Sequence, residues 1–479
     1  MLASVCYLAS RADWQRTALY LLAVTAPLEI YRTAVAKVDI SLFRLSLLLA
    51  LAVLLANTRD RPRCLARWIR HPLVLVYLGL AGLTLLALVV HPINRFLGER
   101  EAGQIAIGAI ALAIVAELVR RESAERAAAA IVAGSALPIL AAGWQALGPR
   151  IGASGALPLL DRLPAAQGLE ITRQALSSFG PIGARAKGTF GDPDHFGVYL
   201  IFAMCAALAL TVVAAQRGSR REQITYGAIG IAAAATLLAT YSRSAWIGGL
   251  LGALITCAWV ARGWRTGELP RPGRRAVVAV AVVGAIVATG AAPSVIKRAS
   301  PSSEINVVSD REHEGTVRLA AEEFVHHPLL GIGPGGLGVE LKLPPRTSGA
   351  SSTYLSVGAQ VGVFGLLALL AAAGITLALS IAAYRSLART PLRALALGLT
   401  GAYLGFLAAN ATYDVWFDDF HWLMLGTIVG LCSGLGSPAA ARPPAAPAFG
   451  AGLDDAPVGS EAAAMRARAP TGHGHRPVS

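Results

Sequence analysis

The sequence predicts an all-α protein: a polytopic membrane helix bundle of about twelve transmembrane helices with two long extracytoplasmic loops. Three observations predict it. Of the 479 residues, 55% are hydrophobic. Only 15% are charged, against about 25% in an ordinary soluble domain. The apolar residues fall in runs near the roughly 20 that a span needs, and arginine-rich stretches separate them. Mean hydropathy is +0.56. This composition excludes an ordinary soluble enzyme. It also excludes a disordered chain, which requires low hydrophobicity.

The predicted spans cover roughly 14–29, 40–56, 72–90, 102–119, 127–147, 195–215, 223–241, 245–261, 276–293, 355–383, 394–411 and 417–435. The first reads as a span rather than a secretory signal, because the small residues ending at Ala26 run straight into Pro27 and Glu29. Orientation follows from arginine in the short loops. With the N-terminus inside, every second loop is basic. Examples are Arg59, Arg61, Arg63, Arg67 and Arg70, then Arg120, Arg121 and Arg126, and later Arg385, Arg389 and Arg393. The expected location is the cytoplasmic (inner) membrane, multi-pass, with both termini cytoplasmic. The net charge of +14 is therefore mainly a topology signal, and no nucleic-acid partner is expected. The five cysteines give no disulfide framework, since none lies in a predicted outer loop.

Four stretches follow. Residues 1–222 hold the N-terminal helices and the first long outer loop, about 148–194. Residues 223–372 form a core with the second long outer loop, about 294–354. Residues 373–436 are the C-terminal helices. Residues 437–479, rich in Ala, Pro and Gly, read as a disordered cytoplasmic tail. No internal repeat relates the halves, which weighs against a secondary transporter.

Chemistry-bearing residues cluster at the predicted outer face. Arg185 and Lys187 precede Gly188, Thr189, Phe190, Gly191, Asp192, Pro193 and Asp194 at the mouth of a span. Two readings stand for the cations: diphosphate binding at the membrane surface, or snorkelling anchors. Asp192 followed by Pro193 fits a helix start, with a metal-binding Asp-x-Asp as the lesser reading. Ser242 and Arg243 occupy a turn so short that the charge must sit at the interface, facing a polar cavity or the headgroups. Residues 315–327 place Val317, Ala320, Ala321, Phe324 and Val325 at helical spacing, with Arg318 and Glu322 able to pair and Pro328 ending the helix. Gly331, Gly333, Gly335 and Gly336 follow, as a tight turn or an anion cradle. His313, His326 and His327 are possible general bases. Tyr354 opens a span that Gly362 and Gly365 permit to break.

Together and in this order, these pieces resemble the bacterial O-antigen ligase and O-antigen polymerase superfamily. The carriers are Arg185-x-x-Gly-Thr-Phe-x-Asp-Pro, Ser242-Arg243, His327-Pro-Leu-Leu-Gly-Ile-Gly-Pro-Gly and Tyr354-Leu355 with Gly362 and Gly365. The resemblance implies a metal-independent glycosyltransferase with no cofactor, working in surface polysaccharide synthesis. Its partners would be an undecaprenyl-diphosphate-linked glycan, a glycan acceptor, the bilayer and other polysaccharide assembly proteins. Arg243, Arg318, His327 and Ser351 are the implied catalytic positions. Arg185, Lys187, Asp192, Gly333, Gly335 and Tyr354 are the implied substrate-binding ones. A polymerase-type member is favoured over a lipopolysaccharide ligase. The chain departs from the family at one place: Ser351 stands where the family has its histidine. His327, His313 and Glu340 are the alternatives for that role. The competing functions are a lipid-linked oligosaccharide flippase and a non-catalytic member of an assembly complex.

Overall fold

The computed structural model describes residues 13–28, 33–35, 38–57, 66–147, 185–267, 296, 304–340, 351–387, 390–416 and 418–434. The expected span at 276–293, most of the first long loop and the expected tail lie outside the described residues. The helices are α1 (Trp14–Thr25), α2 (Leu42–Asn57), α3 (Pro72–Val90), α4 (Arg95–Glu122), α5 (Ala124–Gly134), α6 (Ala136–Leu147) and α7 (Pro193–Gln216). They continue as α8 (Arg220–Ala239), α9 (Arg243–Thr266), α10 (Glu304–His326), α11 (Gly336–Glu340), α12 (Thr353–Ser386), α13 (Leu392–Asn410) and α14 (Asp419–Gly434). One antiparallel hairpin interrupts the helical pattern, β1 (Thr33–Val35) with β2 (Val38–Ile40), in the register Thr33 to Ile40.

Helices occupy every predicted span that falls within the described residues. Seven stretches among the described residues are long and apolar enough to cross a membrane, one of them formed by α5 and α6 together, and Leu42–Ala56 is a shorter apolar one. The chain is thus a multi-pass helical membrane protein. The remaining predicted spans are α1, of 12 residues, α14, of 16, and α8, which opens on Arg220, Arg221 and Glu222. The span predicted at 127–147 is split at Ser135 into α5 and α6. Pro138 explains the break, since it lacks the N–H that a continuous helix would use there.

Glycine sets how closely the helices approach. Gly248 and Gly252 of α9 face Gly401 and Gly405 of α13. A Cβ on Gly248 would stand 2.3 Å from the Gly405 carbonyl oxygen, and one on Gly405 would stand 2.4 Å from the Gly248 oxygen. Between apolar helices in lipid, such small-residue seams supply close van der Waals packing where water expulsion supplies none. Gly426 and Gly430 of α14 play the same part against Val115 and Val119 of α4. α7 packs on α5, α8, α9 and α13, with most of its apolar run buried.

One end of the bundle is tied by Glu117, buried near the end of α4. It accepts from Arg120 Nη2 at 2.5 Å, Arg121 Nε at 2.6 Å and Trp68 Nε1 at 3.0 Å. The other end gathers the starts of α7, α9, α12 and α14. That is the end the arginine pattern assigns to the outside.

Candidate functional site

The site grows from helix starts. Asp192 caps α7, its side chain accepting from Asp194 N at 2.6 Å, and Pro193 takes the first helical position. Arg185 folds onto this start. Its Nη2 donates to Asp194 Oδ1 at 2.8 Å and its Nε donates to the Thr240 carbonyl at 2.8 Å. One cation thereby links α7 to the end of α8. Burial works against the Arg185 charge, but Asp194 and Asp192 more than offset it, so its pKa lies above the usual arginine value. Asp192 moves up, first because burial penalises its charge and then because Asp194 stands beside it. Gln145 Oε1 accepts from the N–H groups of Lys187 and Gly188, which holds this turn against α6.

A second layer comes from the segment between α13 and α14. Tyr413 donates to Asp192 Oδ2 at 3.1 Å. His195 Nδ1 lies 2.6 Å from Asp418 Oδ2. Thr353 Oγ1, at the start of α12, faces Asn410 Oδ1 at 2.6 Å and Asp414 Oδ1 at 2.9 Å. Burial raises the Asp414 pKa, with hydrogen bonds from Thr353 and Ser356 opposing that rise. A small cavity of about 30 Å³ reaches Asp414, with Thr84, Glu101, Ser356 and Gln360 in its lining.

The third layer is α10. Tyr241 adopts φ 52°, turning the chain sharply, and Ser242 Oγ then caps α9 by accepting from Ala245 N at 3.3 Å. Arg243 emerges at the first helical position and pairs with Asp310 of α10. One turn along α10, His313 Nδ1 lies 2.5 Å from Ser351 Oγ, and Thr316 Oγ1 lies 2.7 Å from the same oxygen. α10 is longer than predicted, and only part of the expected apolar face docks. His313, Thr316, Ala320 and Phe324 face the bundle, with Phe324 over Gly358, whereas Val317 and Val325 are exposed.

The predicted site residues therefore part company. Arg185, Asp192, Arg243 and Ser351 come to one end of the bundle in connected layers. Arg318 is on the opposite face of α10, its side chain 79% exposed and paired with Glu322 at 2.7 Å. His327 sits past the end of α10 with its ring centroid 5.7 Å from that of His91, and no contact joins it to Ser351 among the described residues. Tyr354 points into the bundle and donates to the Leu407 carbonyl of α13 at 2.9 Å.

The glycine stretch forms a turn, one of the two readings that its sequence allows. Its N–H groups are already engaged. Ile332 N donates to the Ala359 carbonyl at 2.8 Å, Gly333 N to the Gln360 carbonyl at 3.1 Å and Gly335 N to Gln360 Oε1 at 2.5 Å. Val363 N in turn donates to the Pro328 carbonyl at 2.7 Å. The turn is spliced into the break of α12 at Gly362, where φ is 75°, and it satisfies the backbone groups that the break exposes. Gly333 and Gly335 thus hold the loop to the bundle.

Sequence reasoning left out Tyr413, Asp414 and Asp418; Asp194 stood only in the lesser metal-binding reading, and His195 and Asp310 were given no role. One signal was present: Asp414, Asp418 and Asp419 crowd a short link between two apolar runs, where carboxylates are costly without partners.

Fold and site together define a multi-pass membrane protein with a layered cationic and carboxylate site at one end of its bundle. Residues 228–370 match the family model described as O-Antigen ligase. The resemblance to the O-antigen ligase and polymerase superfamily stands on that match, which supports a membrane glycan transferase of this general type. No curated protein matches the chain closely enough to count as a relative.

Proposed function

We propose that the chain moves a glycan from undecaprenyl diphosphate to a hydroxyl of a glycan acceptor, as a polymerase-type enzyme at the outer face of the cytoplasmic membrane. The observation that carries this reading is the pairing of Arg243 with Asp310. It attaches a cation at the start of α9 to the helix of the large loop, with Arg185 at the neighbouring start of α7. A lipid diphosphate offers an apolar tail for the bundle and a double anion at headgroup depth. In the transfer, the acceptor oxygen bonds to the anomeric carbon as the bond from that carbon to the diphosphate oxygen breaks. The electron pair leaves with the diphosphate. Arg243, Arg185 and Lys187 balance the growing charge, which lowers the barrier electrostatically. α10 positions the acceptor. Arg318, facing away and paired with Glu322, lies outside this charge set.

The test is deletion of the gene followed by restoration, with lipid-linked and surface glycans resolved on a gel. Single lipid-linked units in the deletion and long chains on restoration support a polymerase. Long lipid-linked chains that reach no acceptor indicate a ligase. Unchanged glycans in the deletion overturn the reading.

A further inference from the structure

We propose that His313 is the base that takes the acceptor proton, and that Ser351 and Thr316 position it. This rests on the glycan-transfer reading above. The argument starts from hydrogens. Thr316 has one hydroxyl hydrogen, and Thr316 Oγ1 lies 2.9 Å from the His313 carbonyl, which can only accept. Thr316 therefore donates there. Thr316 Oγ1 also lies 2.7 Å from Ser351 Oγ, so Ser351 donates in that contact. Ser351 has then used its own single hydrogen. The remaining contact, His313 Nδ1 to Ser351 Oγ at 2.5 Å, must be donated by the imidazole. The Ser351 backbone N–H closes the arrangement on Thr316 Oγ1 at 3.3 Å. The circuit sets the tautomer: hydrogen on Nδ1, lone pair on Nε2. A neutral imidazole held this way accepts a proton at Nε2, the logic by which an orienting partner on one ring nitrogen sets the task of the other.

Position supports the same assignment. His313 lies three residues beyond Asp310, about 4.5 Å further along the axis of α10. Asp310 holds Arg243. The base and the carboxylate that holds this cation thus share one face of one helix. Ser351 stands where the family carries its histidine, and the structure brings an imidazole to that serine from 38 positions away in the chain. In the step, the acceptor O–H bond breaks and its proton goes to His313 Nε2. The acceptor oxygen joins the anomeric carbon, and the carbon–diphosphate electron pair departs with the lipid diphosphate. Ser351 acts through its contact with His313. It is a positioning residue.

The experiment restores the deletion with tagged variants and reads polymer yield at equal membrane abundance. His313→Ala is expected to lose on the order of 100-fold or more, the range for removal of a general base. Imidazole added to the medium is expected to return part of that loss, and to return none of the loss in Arg243→Ala. Ser351→Ala is expected to lose about tenfold, with Ser351→Thr recovering most of it because the hydroxyl is kept. Wild-type yield from His313→Ala overturns the assignment. So does a loss that imidazole leaves unchanged while the protein remains abundant, since that marks a structural role. If the wild-type gene itself restores no polymer, the glycan-transfer reading falls first and the assignment falls with it.

Discussion

Arg243, the first residue of α9, makes an ion pair with Asp310 of α10, 67 positions later in the chain. The pair joins a transmembrane helix start to the helix of the large loop. It is partly open, the Arg243 side chain being 34% exposed, so its own worth to stability is small. Its importance is placement. Arg243→Ala is expected to reduce polymer output about 10²- to 10³-fold, the range for removing one preorganised donor from a transition state, with membrane abundance near wild type. Arg243→Lys is expected to recover part, as a point charge without the planar fork. Gel analysis of restored cells at matched expression checks both.

Arg185 and Asp194 are more deeply enclosed, with side chains 13% and 15% exposed. Removing Asp194 takes the direct ion-pair partner from a buried guanidinium and leaves it only the Thr240 carbonyl and the nearby Asp192. Asp194→Ala is therefore expected to destabilise the protein by about 3–5 kcal/mol. The double variant Arg185→Ala with Asp194→Ala is expected to lose less than the sum of the two single changes, because neither charge is then left unpartnered. Thermal unfolding in detergent across this cycle measures the coupling.

Close approach of α9 and α13 depends on the absence of side chains at Gly248 and Gly405. Gly405→Leu is expected to collapse the yield of folded protein, since the new side chain would meet the Gly248 backbone. Gly79→Ala is expected to be tolerated, as a Cβ there meets nothing within 4 Å. Monodisperse recovery after solubilisation distinguishes them.

Asp414 lends the folded state a pH dependence of known sign. Burial raises its pKa above the ordinary carboxylate value, so the folded protein binds the proton more tightly than the unfolded chain. The stability this contributes is fully present below about pH 3.9, the unfolded value, and is lost as pH rises through the raised folded pKa. Asp414→Asn is expected to remove that component. The wild type minus variant difference in melting temperature should therefore grow more positive as pH falls toward 4, and a difference independent of pH contradicts the assignment.

Much of the fold was legible because apolar run length and arginine spacing report where a chain enters and leaves lipid. Asp192 and Pro193 were readable as a helix start for a local reason: capping depends on two or three neighbouring residues. The site was less legible. Arg243 with Asp310 and His313 with Ser351 are separated by 67 and 38 positions, and helical spacing alone left open which face of α10 docks. Ala320 and Phe324 of the expected apolar face are on the docked side, but Val317 and Val325 are exposed, since in lipid or at its surface an exposed valine costs little. The glycine turn stayed ambiguous for a related reason. Its N–H groups look available in sequence, and only the break at Gly362 shows what they serve.

The central claim, that this protein transfers glycan from a lipid diphosphate, is tested most directly by product release. Purified protein in liposomes would be given the lipid-linked glycan extracted from cells lacking the gene. The account predicts free lipid diphosphate together with lengthened glycan, and neither from Arg243→Ala. Folded wild-type protein that releases no lipid diphosphate would contradict it.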